Sequence, residues 1–227
     1  MRLGLMIPAV NTVAEGEFHA QAPDDVTVHT ARLYPGGTSR EAMFTLVSEG
    51  VPRATQELAM MHPDVVVFGC TAAGAAIGPD GERRLIGEIS EQTGAPVVSM
   101  NAAVQDALAA TGATRIAILT PYDEHVTADM AARAQSRGME VAVAAGLGID
   151  EPFGWAALSA DDLLTFAERE LDGHDFGAIL LSCANLRTAG VREQLSALHG
   201  VPVVTSNHAT LSAALIALGE RGDSAAS

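Results

Sequence analysis

The two cysteines of this 227-residue chain, Cys70 and Cys183, are the side chains whose type and placement best suit chemistry. A thiolate is a strong nucleophile and can also move a proton, whereas an ordinary free cysteine packs as a small core residue. Each cysteine follows a short apolar segment of strand length, residues 65–68 and 178–182. Because both cysteines lie at such similar positions, we favour a catalytic pair over two core residues.

The backbone after each cysteine is a second candidate group. Thr71 and Ala72 follow Cys70, and Ala184 and Asn185 follow Cys183. If each segment opens a helix, its free N–H groups attract anions and lower the pKa of the nearby thiol. We therefore expect these residues to hold a substrate carboxylate and to promote a thiolate. Helix capping is the alternative role for Thr71.

Asn11 and Tyr122 are further candidates, because each follows an apolar segment that predicts a strand. Strand-end loops are where polar groups reach ligands. The amide of Asn11 and the hydroxyl of Tyr122 both suit carboxylate or enolate oxygens. The alternatives are a cap of the helix predicted over residues 12–20 for Asn11, and an aromatic ring packed at the pocket rim for Tyr122.

An internal repeat explains why the two cysteines occupy similar positions. Residues 2–8 resemble residues 115–121, and Cys70 matches Cys183 at the same offset of 113 (183 minus 70). Residues 94–101 match residues 200–207 at an offset of 106, so the first half has seven extra residues (113 minus 106) after its cysteine.

The elements that must position these residues alternate between strand-like and helix-like segments, which predicts an α/β fold with parallel sheets covered by helices. We expect two similar halves, 1–112 and 113–227, related by a pseudo-twofold axis with the active site between them. The C-terminal helix of the first half could exchange onto the other half. The predicted strands cover residues 3–7, 26–31, 65–68, 97–99, 116–120, 141–144, 178–182 and 203–205, and the clearest helices cover 40–61, 102–110, 127–138 and 160–171.

The composition argues against several classes of partner. The net charge is −15, with 28 acidic and 13 basic residues, and such a surface repels nucleic acid. No apolar run reaches the roughly 20 residues that span a membrane, so we expect a cytoplasmic protein without membrane contact. The spacing of cysteine and histidine predicts no metal site. The expected partner is a small carboxylate or dicarboxylate substrate, and a homo-oligomer is compatible with the sequence.

These fragments together resemble the aspartate/glutamate racemase superfamily, and within it the branch of maleate cis–trans isomerases and arylmalonate decarboxylases. The resemblance covers nearly the whole chain and rests on five fragments in order. They are Ile7-Pro8 with Asn11-Thr12, Gly69-Cys70-Thr71, Thr120-Pro121-Tyr122, Leu181-Ser182-Cys183 and Val203-Val204-Thr205-Ser206.

The resemblance implies two flavodoxin-like halves and an enzyme that needs no cofactor. In the racemases, one cysteine removes a proton and the other returns one to the opposite face. In the maleate isomerases, the first-half cysteine adds to the double bond, and in the decarboxylases only the second-half cysteine is present. Because Cys70 and Cys183 are both present, the resemblance favours an isomerase or racemase over a decarboxylase. A binding protein without turnover is the alternative from another class.

The resemblance also assigns substrate contacts to residues already named. Asn11 matches an asparagine that contacts a substrate carboxylate, and Tyr122 matches a tyrosine shared by isomerases and decarboxylases. Thr71 and the N–H groups of Ala72 and Ala184 resemble the oxyanion-binding group. One further asparagine of the isomerases is absent, since residues 149–154 read Ile-Asp-Glu-Pro-Phe-Gly. An acidic group at Glu151 would oppose a second carboxylate, so the sequence leaves the substrate open.

Overall fold

The computed structural model describes residues 1–34, 37 and 39–225, and it divides into two compact units. Unit 1 comprises Met1–Ala103 and Thr210–Ser227, and unit 2 comprises Val104–Ala209. The halves expected from the sequence, 1–112 and 113–227, stay a prediction about domains, because compact packing alone does not show that a segment folds independently.

Unit 1 is built on a four-stranded parallel sheet with the strand order β2-β1-β3-β4. Its third strand is buried on both faces, as a parallel sheet covered by helices requires. The strands are β1 (Arg2–Pro8), β2 (Thr27–Leu33), β3 (Val65–Phe68) and β4 (Val97–Ser99), and the helices are α1 (Ala14–Gln21), α2 (Arg40–Thr45), α3 (Val51–Ala59), α4 (Thr71–Thr93) and the start of α5 (Met100–Ala110).

Unit 2 has the same arrangement, with the strand order β6-β5-β7-β8 and parallel pairing throughout. Met6 pairs with Phe68 in the first sheet, and Leu119 pairs with Leu181 in the second, which is the offset of 113 found in the sequence. The predicted α/β class and all eight strands are therefore confirmed. The strands are β5 (Arg115–Thr120), β6 (Glu140–Gly146), β7 (Ala178–Leu181) and β8 (Val203–Thr205), and the helices are the rest of α5, α6 (Glu124–Gln135), α7 (Pro152–Ala157), α8 (Ala160–Leu171) and α9 (Ala189–His199). The last helix, α10 (Ser206–Ala225), begins in unit 2 and belongs to unit 1 from Thr210 onward.

The helix predicted over residues 40–61 is not continuous. A π-helical turn, Leu46–Gly50, separates α2 from α3. Pro52 lies in the first turn of α3, where its missing N–H removes one ordinary helical hydrogen bond. The prediction of one long helix was therefore wrong at this point, although both flanking segments are helical.

The interior of unit 1 follows the alternation of side chains along its strands. Leu3, Leu5 and Ile7 of β1 belong to a buried cluster on one face of the sheet, which also contains Leu211, Ala214 and Leu218 of α10. Met6 belongs to the cluster on the other face.

Among the helices that the structure describes, none combines the length and apolar character needed to cross a membrane.

Helix α4 bends soon after it begins, and this bend shapes the surroundings of Cys70. Gly78 has φ 72° and ψ 172°, and Pro79 follows it inside the helix. A positive φ suits glycine, and proline cannot supply the next helical N–H. The chain therefore makes a short helix after Cys70 and then starts a second helical segment, which carries Glu82.

Gly146, at the end of β6, provides a test of the local packing that holds Tyr122. A methyl group at this position would overlap the Tyr122 carbonyl oxygen and lie 2.6 Å from Thr127 Oγ1. Gly146→Ala should therefore destabilise the protein by about 1–3 kcal/mol, because the backbone must shift. Urea unfolding followed by circular dichroism measures the change.

The matched control is Gly16→Ala in helix α1, where an added methyl group would meet nothing within 4 Å. This change should stabilise the protein by about 0.5–1 kcal/mol, because alanine loses less backbone entropy than glycine in a helix. Equal stability of the two variants would contradict the packing assigned to Gly146.

Candidate active site

Cys70 lies at the junction between β3 and α4, where it occupies the N-cap position of the helix. Its neighbour Gly69 passes close to β1: the Gly69 N–H donates to the Met6 carbonyl at 2.8 Å, and a Cβ at Gly69 would lie 2.9 Å from that oxygen. The strand can therefore turn into the helix only because Gly69 has no side chain. This turn leaves the Cys70 side chain 4% exposed.

Burial dominates the acidity of Cys70. It raises the pKa of the thiol from its ordinary value to about 11, while the N–H groups of Ala73 and Ala72 lower it and the charge of Glu82 raises it. The N–H donors expected at the helix start are thus present. The expected lowering of the pKa was nevertheless wrong, because removal of the thiolate from water costs more than two backbone donors restore.

Cys183 lies at the end of β7 and begins a turn, in which the Leu186 N–H donates to the Cys183 carbonyl at 3.2 Å. The Asn185 N–H donates to the Cys183 sulfur at 3.3 Å. Burial again raises the pKa of the thiol to about 11, and hydrogen bonds from the Tyr122 hydroxyl and the Asn185 N–H lower it. Both thiols are therefore mainly protonated at neutral pH, and the predicted lowering of the pKa was wrong for this cysteine too.

Tyr122 is brought to Cys183, as its position after β5 suggested. Its hydroxyl hydrogen-bonds the sulfur, its N–H donates to Thr120 Oγ1 at 3.2 Å, and its ring meets Trp155 edge to face at 4.9 Å. The Trp155 indole N–H donates in turn to the Ile149 carbonyl at 2.6 Å. The tyrosine is thus held on two sides, and its hydroxyl is placed to give or take a proton at Cys183.

Asn11 is buried and caps the start of α1. Its Oδ1 accepts hydrogen bonds from the N–H groups of Val13 at 3.0 Å and Ala14 at 2.9 Å. The capping alternative is therefore realised for this oxygen. A contact between Asn11 and a substrate carboxylate stays a prediction.

Asn185 contributes its backbone rather than its side chain to the surroundings of Cys183. Its amide Nδ2 donates to the Pro152 carbonyl at 2.8 Å, which ties the turn after Cys183 to the start of α7. The side chain of neighbouring Glu151 is exposed. The segment of residues 149–154 is thus held to the second cysteine loop by Asn185.

Three polar residues near Cys70 were missed by sequence reasoning. Glu82 Oε1 accepts hydrogen bonds from Ser99 Oγ at 2.6 Å and from Asn101 Nδ2 at 3.2 Å. Asn101 Nδ2 also donates to the Thr71 carbonyl at 3.2 Å. The repeat itself carried a signal for Asn101, because Asn207 occupies the matching position in the second half.

The described side chains include no group of three His, Cys, Asp or Glu residues arranged to hold a metal ion. The groups that the structure gathers near the two sulfurs are instead backbone N–H donors, one tyrosine hydroxyl and one carboxylate. Within each unit, backbone N–H donors can stabilise a negative charge, and in unit 2 the tyrosine hydroxyl can exchange a proton with the thiol.

Comparison with known proteins gives this chain clear relatives. The maleate isomerase of Pseudomonas putida is 28% identical over 241 residues, which cover 96% of this chain and 91% of that protein. The arylmalonate decarboxylase of Bordetella bronchiseptica is 28% identical over 190 residues, which cover 79% of each chain.

Solved structures share the fold. A structure of unliganded arylmalonate decarboxylase is 26% identical with a TM-score of 0.78, and the match covers 96% of this chain and 92% of that one. A Nocardia farcinica maleate cis–trans isomerase mutant with a covalently bound succinylcysteine intermediate has a TM-score of 0.85 at 22% identity, with the same coverages of 96% and 92%.

The model of one protein family spans nearly the whole chain. This family is described as arylmalonate decarboxylase, and its model matches residues 3–227. The branch suggested by the sequence fragments is thereby confirmed, and the chain belongs to the arylmalonate decarboxylase family.

Proposed function

We propose that the protein is a cofactor-independent cis–trans isomerase of a small unsaturated dicarboxylate of the maleate type. The observation that carries the proposal is the presence of a buried cysteine with backbone N–H donors at the same strand end of both units. Four curated relatives support it, because maleate isomerases from Pseudomonas putida, Nocardia farcinica, Geobacillus stearothermophilus and Alcaligenes faecalis match 90–96% of this chain at 25–28% identity.

Cys70 is the nucleophile in this proposal. The Cys70 thiol first releases its proton to water, so that the minor thiolate form is the one that reacts. This thiolate adds to one carbon of the double bond, a carbon–sulfur bond forms, and the π electrons move to the neighbouring carbon as an enolate of the adjacent carboxylate. The former double bond is now single and rotates. The electron pair then returns, the carbon–sulfur bond breaks, and the trans isomer leaves with the thiolate restored.

Cys183 and Tyr122 handle protons in this proposal. Protonation of the enolate carbon by the Cys183 thiol stores the intermediate as a saturated thioether that keeps both carboxylates, and removal of the same proton by the Cys183 thiolate restarts elimination. The Cys183 thiol suits this exchange because burial keeps it protonated, while the Tyr122 hydroxyl stabilises its thiolate after the proton has left. Thr71 and Ala184 hold the substrate carboxylates through their polar groups, together with Asn11, whereas the N–H groups of Ala72 and Asn185 serve the two sulfurs.

Decarboxylation of a substituted malonate is the second candidate, because the family model carries the name of that activity and the Bordetella bronchiseptica enzyme is 28% identical. In that reaction the Cys183 thiol would protonate an enediolate after carbon dioxide leaves. Cys70 would then have no covalent role. The two candidates therefore make different demands on Cys70.

Incubation with maleate in deuterium oxide, followed by proton NMR, tests the proposed reaction. The protein should form fumarate, and Cys70→Ala should abolish this turnover. Cys183→Ser should slow it by about 10²–10⁴-fold, the usual contribution of a positioned acid–base group. Mass spectrometry of Cys183→Ser should also show Cys70 carrying one added molecule of maleic acid.

Phenylmalonate serves as the matched control substrate in the same assay. If Cys70→Ala still releases carbon dioxide from phenylmalonate, and the unchanged protein does not convert maleate, the protein is a decarboxylase and the isomerase proposal is wrong. Full maleate turnover by Cys70→Ala would rule out covalent use of that thiol.

The pH dependence of alkylation tests the state of the two thiols. With each pKa near 11, the thiolate fraction rises about tenfold for every unit of pH up to about 10. Iodoacetamide should therefore label Cys70 and Cys183 with rates that climb without a plateau from pH 7 to about pH 10, as measured by peptide mass spectrometry. An alkylation rate that stops rising near pH 7 for either cysteine would show that its hydrogen-bond donors lower the pKa of the thiol by more than burial raises it.

A further inference from the structure

The Ala184–Asn185 peptide bond, the second after Cys183, has a hydrogen-bond partner on each side. The Ala184 carbonyl accepts a hydrogen bond from Asn207 Nδ2 at 3.1 Å. The N–H of the same peptide, which belongs to Asn185, donates to the Cys183 sulfur at 3.3 Å. A trans peptide is planar, and its C=O and N–H point in opposite directions. A donor on the carbonyl side therefore helps to fix the direction in which the N–H points.

The Thr71–Ala72 peptide bond, the second after Cys70, has the same two kinds of partner. The Thr71 carbonyl accepts from Asn101 Nδ2 at 3.2 Å. The N–H of that peptide belongs to Ala72, which hydrogen-bonds the Cys70 sulfur alongside the stronger donor, the Ala73 N–H. Each unit thus contains the same chain of contacts, from an asparagine amide through one peptide to a cysteine sulfur.

The strand register places these asparagines. Phe68 of β3 pairs with Ser99 of β4, and Cys70 and Asn101 each lie two residues further along. Because parallel neighbouring strands end at the same edge of a sheet, Asn101 lies beside the Thr71–Ala72 peptide. The second sheet repeats these steps, with Leu181 paired to Thr205 and with Cys183 and Asn207 two residues beyond them.

In unit 1 the asparagine is itself anchored. Asn101 Nδ2 donates to Glu82 Oε1 as well as to the Thr71 carbonyl, so both of its hydrogens face acceptors. Gly74 leaves room for this pair, since a Cβ there would lie 2.5 Å from Asn101 Nδ2 and would overlap the Glu82 carboxylate. The Thr71 carbonyl and Glu82 Oε1 can only accept hydrogen bonds, so the amide atom that faces them must be Nδ2 and not Oδ1. This fixes which way the Asn101 amide is turned.

We propose that Asn101 and Asn207 are positioning residues, each of which aims one peptide N–H at the neighbouring cysteine sulfur. Hydrogen bonds in such a chain polarise one another, so the asparagine also strengthens the donor at the sulfur. The importance of this contact for catalysis rests on the proposed function. Only a reaction that passes through a thiolate gains from an N–H group directed at the sulfur. The contact itself can be tested without substrate.

The experiment measures alkylation of each cysteine by iodoacetamide at about pH 9 in Asn101→Leu and Asn207→Leu, variants of similar side-chain shape that cannot donate. Asn101→Leu should slow alkylation of Cys70 by about three- to tenfold and leave Cys183 at its original rate, because loss of a donor disfavours the thiolate. Asn207→Leu should do the reverse. Peptide mass spectrometry reads both sites in one sample, so each variant contains its own control.

Glu82→Gln is the conservative variant that separates hydrogen bonding from charge. Glutamine retains an oxygen that can accept from Ser99 and Asn101, so the chain of contacts should remain. The Glu82 charge raises the pKa of Cys70, so its removal should keep alkylation of Cys70 at least as fast as in the unchanged protein. If a leucine variant does not fold, Asn101→Ser and Asn207→Ser are used in its place, because the serine hydroxyl is too short to reach the carbonyl.

Cysteine-selective slowing in the asparagine variants supports the proposal. Rates within twofold of the unchanged protein, or equal slowing at both cysteines, would overturn it. A protein that shows selective slowing but does not isomerise maleate would refute the proposed function and leave the positioning role in place. In an active protein, either leucine variant should lower kcat more than it raises KM.

Discussion

The cost of ionising a thiol that water cannot reach is the constraint on which the proposed chemistry depends. Both cysteines are almost fully buried, and burial raises the pKa of each to about 11. A buried thiolate is stabilised only by donors that are already in place, because there is no solvent to reorient around it. One of these donors comes from the second peptide after each cysteine. An asparagine at the start of the helix that follows the neighbouring strand donates to the carbonyl of that same peptide.

Both units contain the contact from an asparagine amide to the second peptide after the cysteine, although the segments that follow the two cysteines differ in sequence and in structure. Asn101 contacts a peptide inside the first turn of α4, whereas Asn207 contacts a peptide in a turn that precedes α9. What the two units share is the strand register, with the cysteine and the asparagine each two residues beyond a paired position. The contact is therefore a property of the parallel sheet more than of the helix that follows the cysteine.

The sequence was sufficient for the strands, the repeat and the two cysteines, because apolar segments of strand length and a constant offset survive without any knowledge of packing. It was also sufficient to bring Tyr122 into consideration, since that residue follows β5. The sequence was insufficient for the acidity of the thiols, because burial depends on the whole set of neighbouring residues. It was also insufficient for the role of Glu82, because this side chain reaches Ser99 and Asn101 only after α4 bends at Gly78. The π-helical turn before Pro52 was missed because hydrophobic periodicity hardly distinguishes it from an ordinary helix.

The bend in α4 also makes the two cysteines unequal. The first half has seven residues more than the second between its cysteine and its fourth strand, and within this segment Glu82 places a negative charge that disfavours the Cys70 thiolate. Cys183 instead has the Tyr122 hydroxyl, which favours its thiolate. The two thiols therefore differ in their neighbours although the backbone around them is matched, and a thiolate at Cys70 depends on the N–H groups of Ala73 and Ala72. Relatives named for isomerisation and for decarboxylation both match this chain, so the fold alone does not decide which reaction a member catalyses.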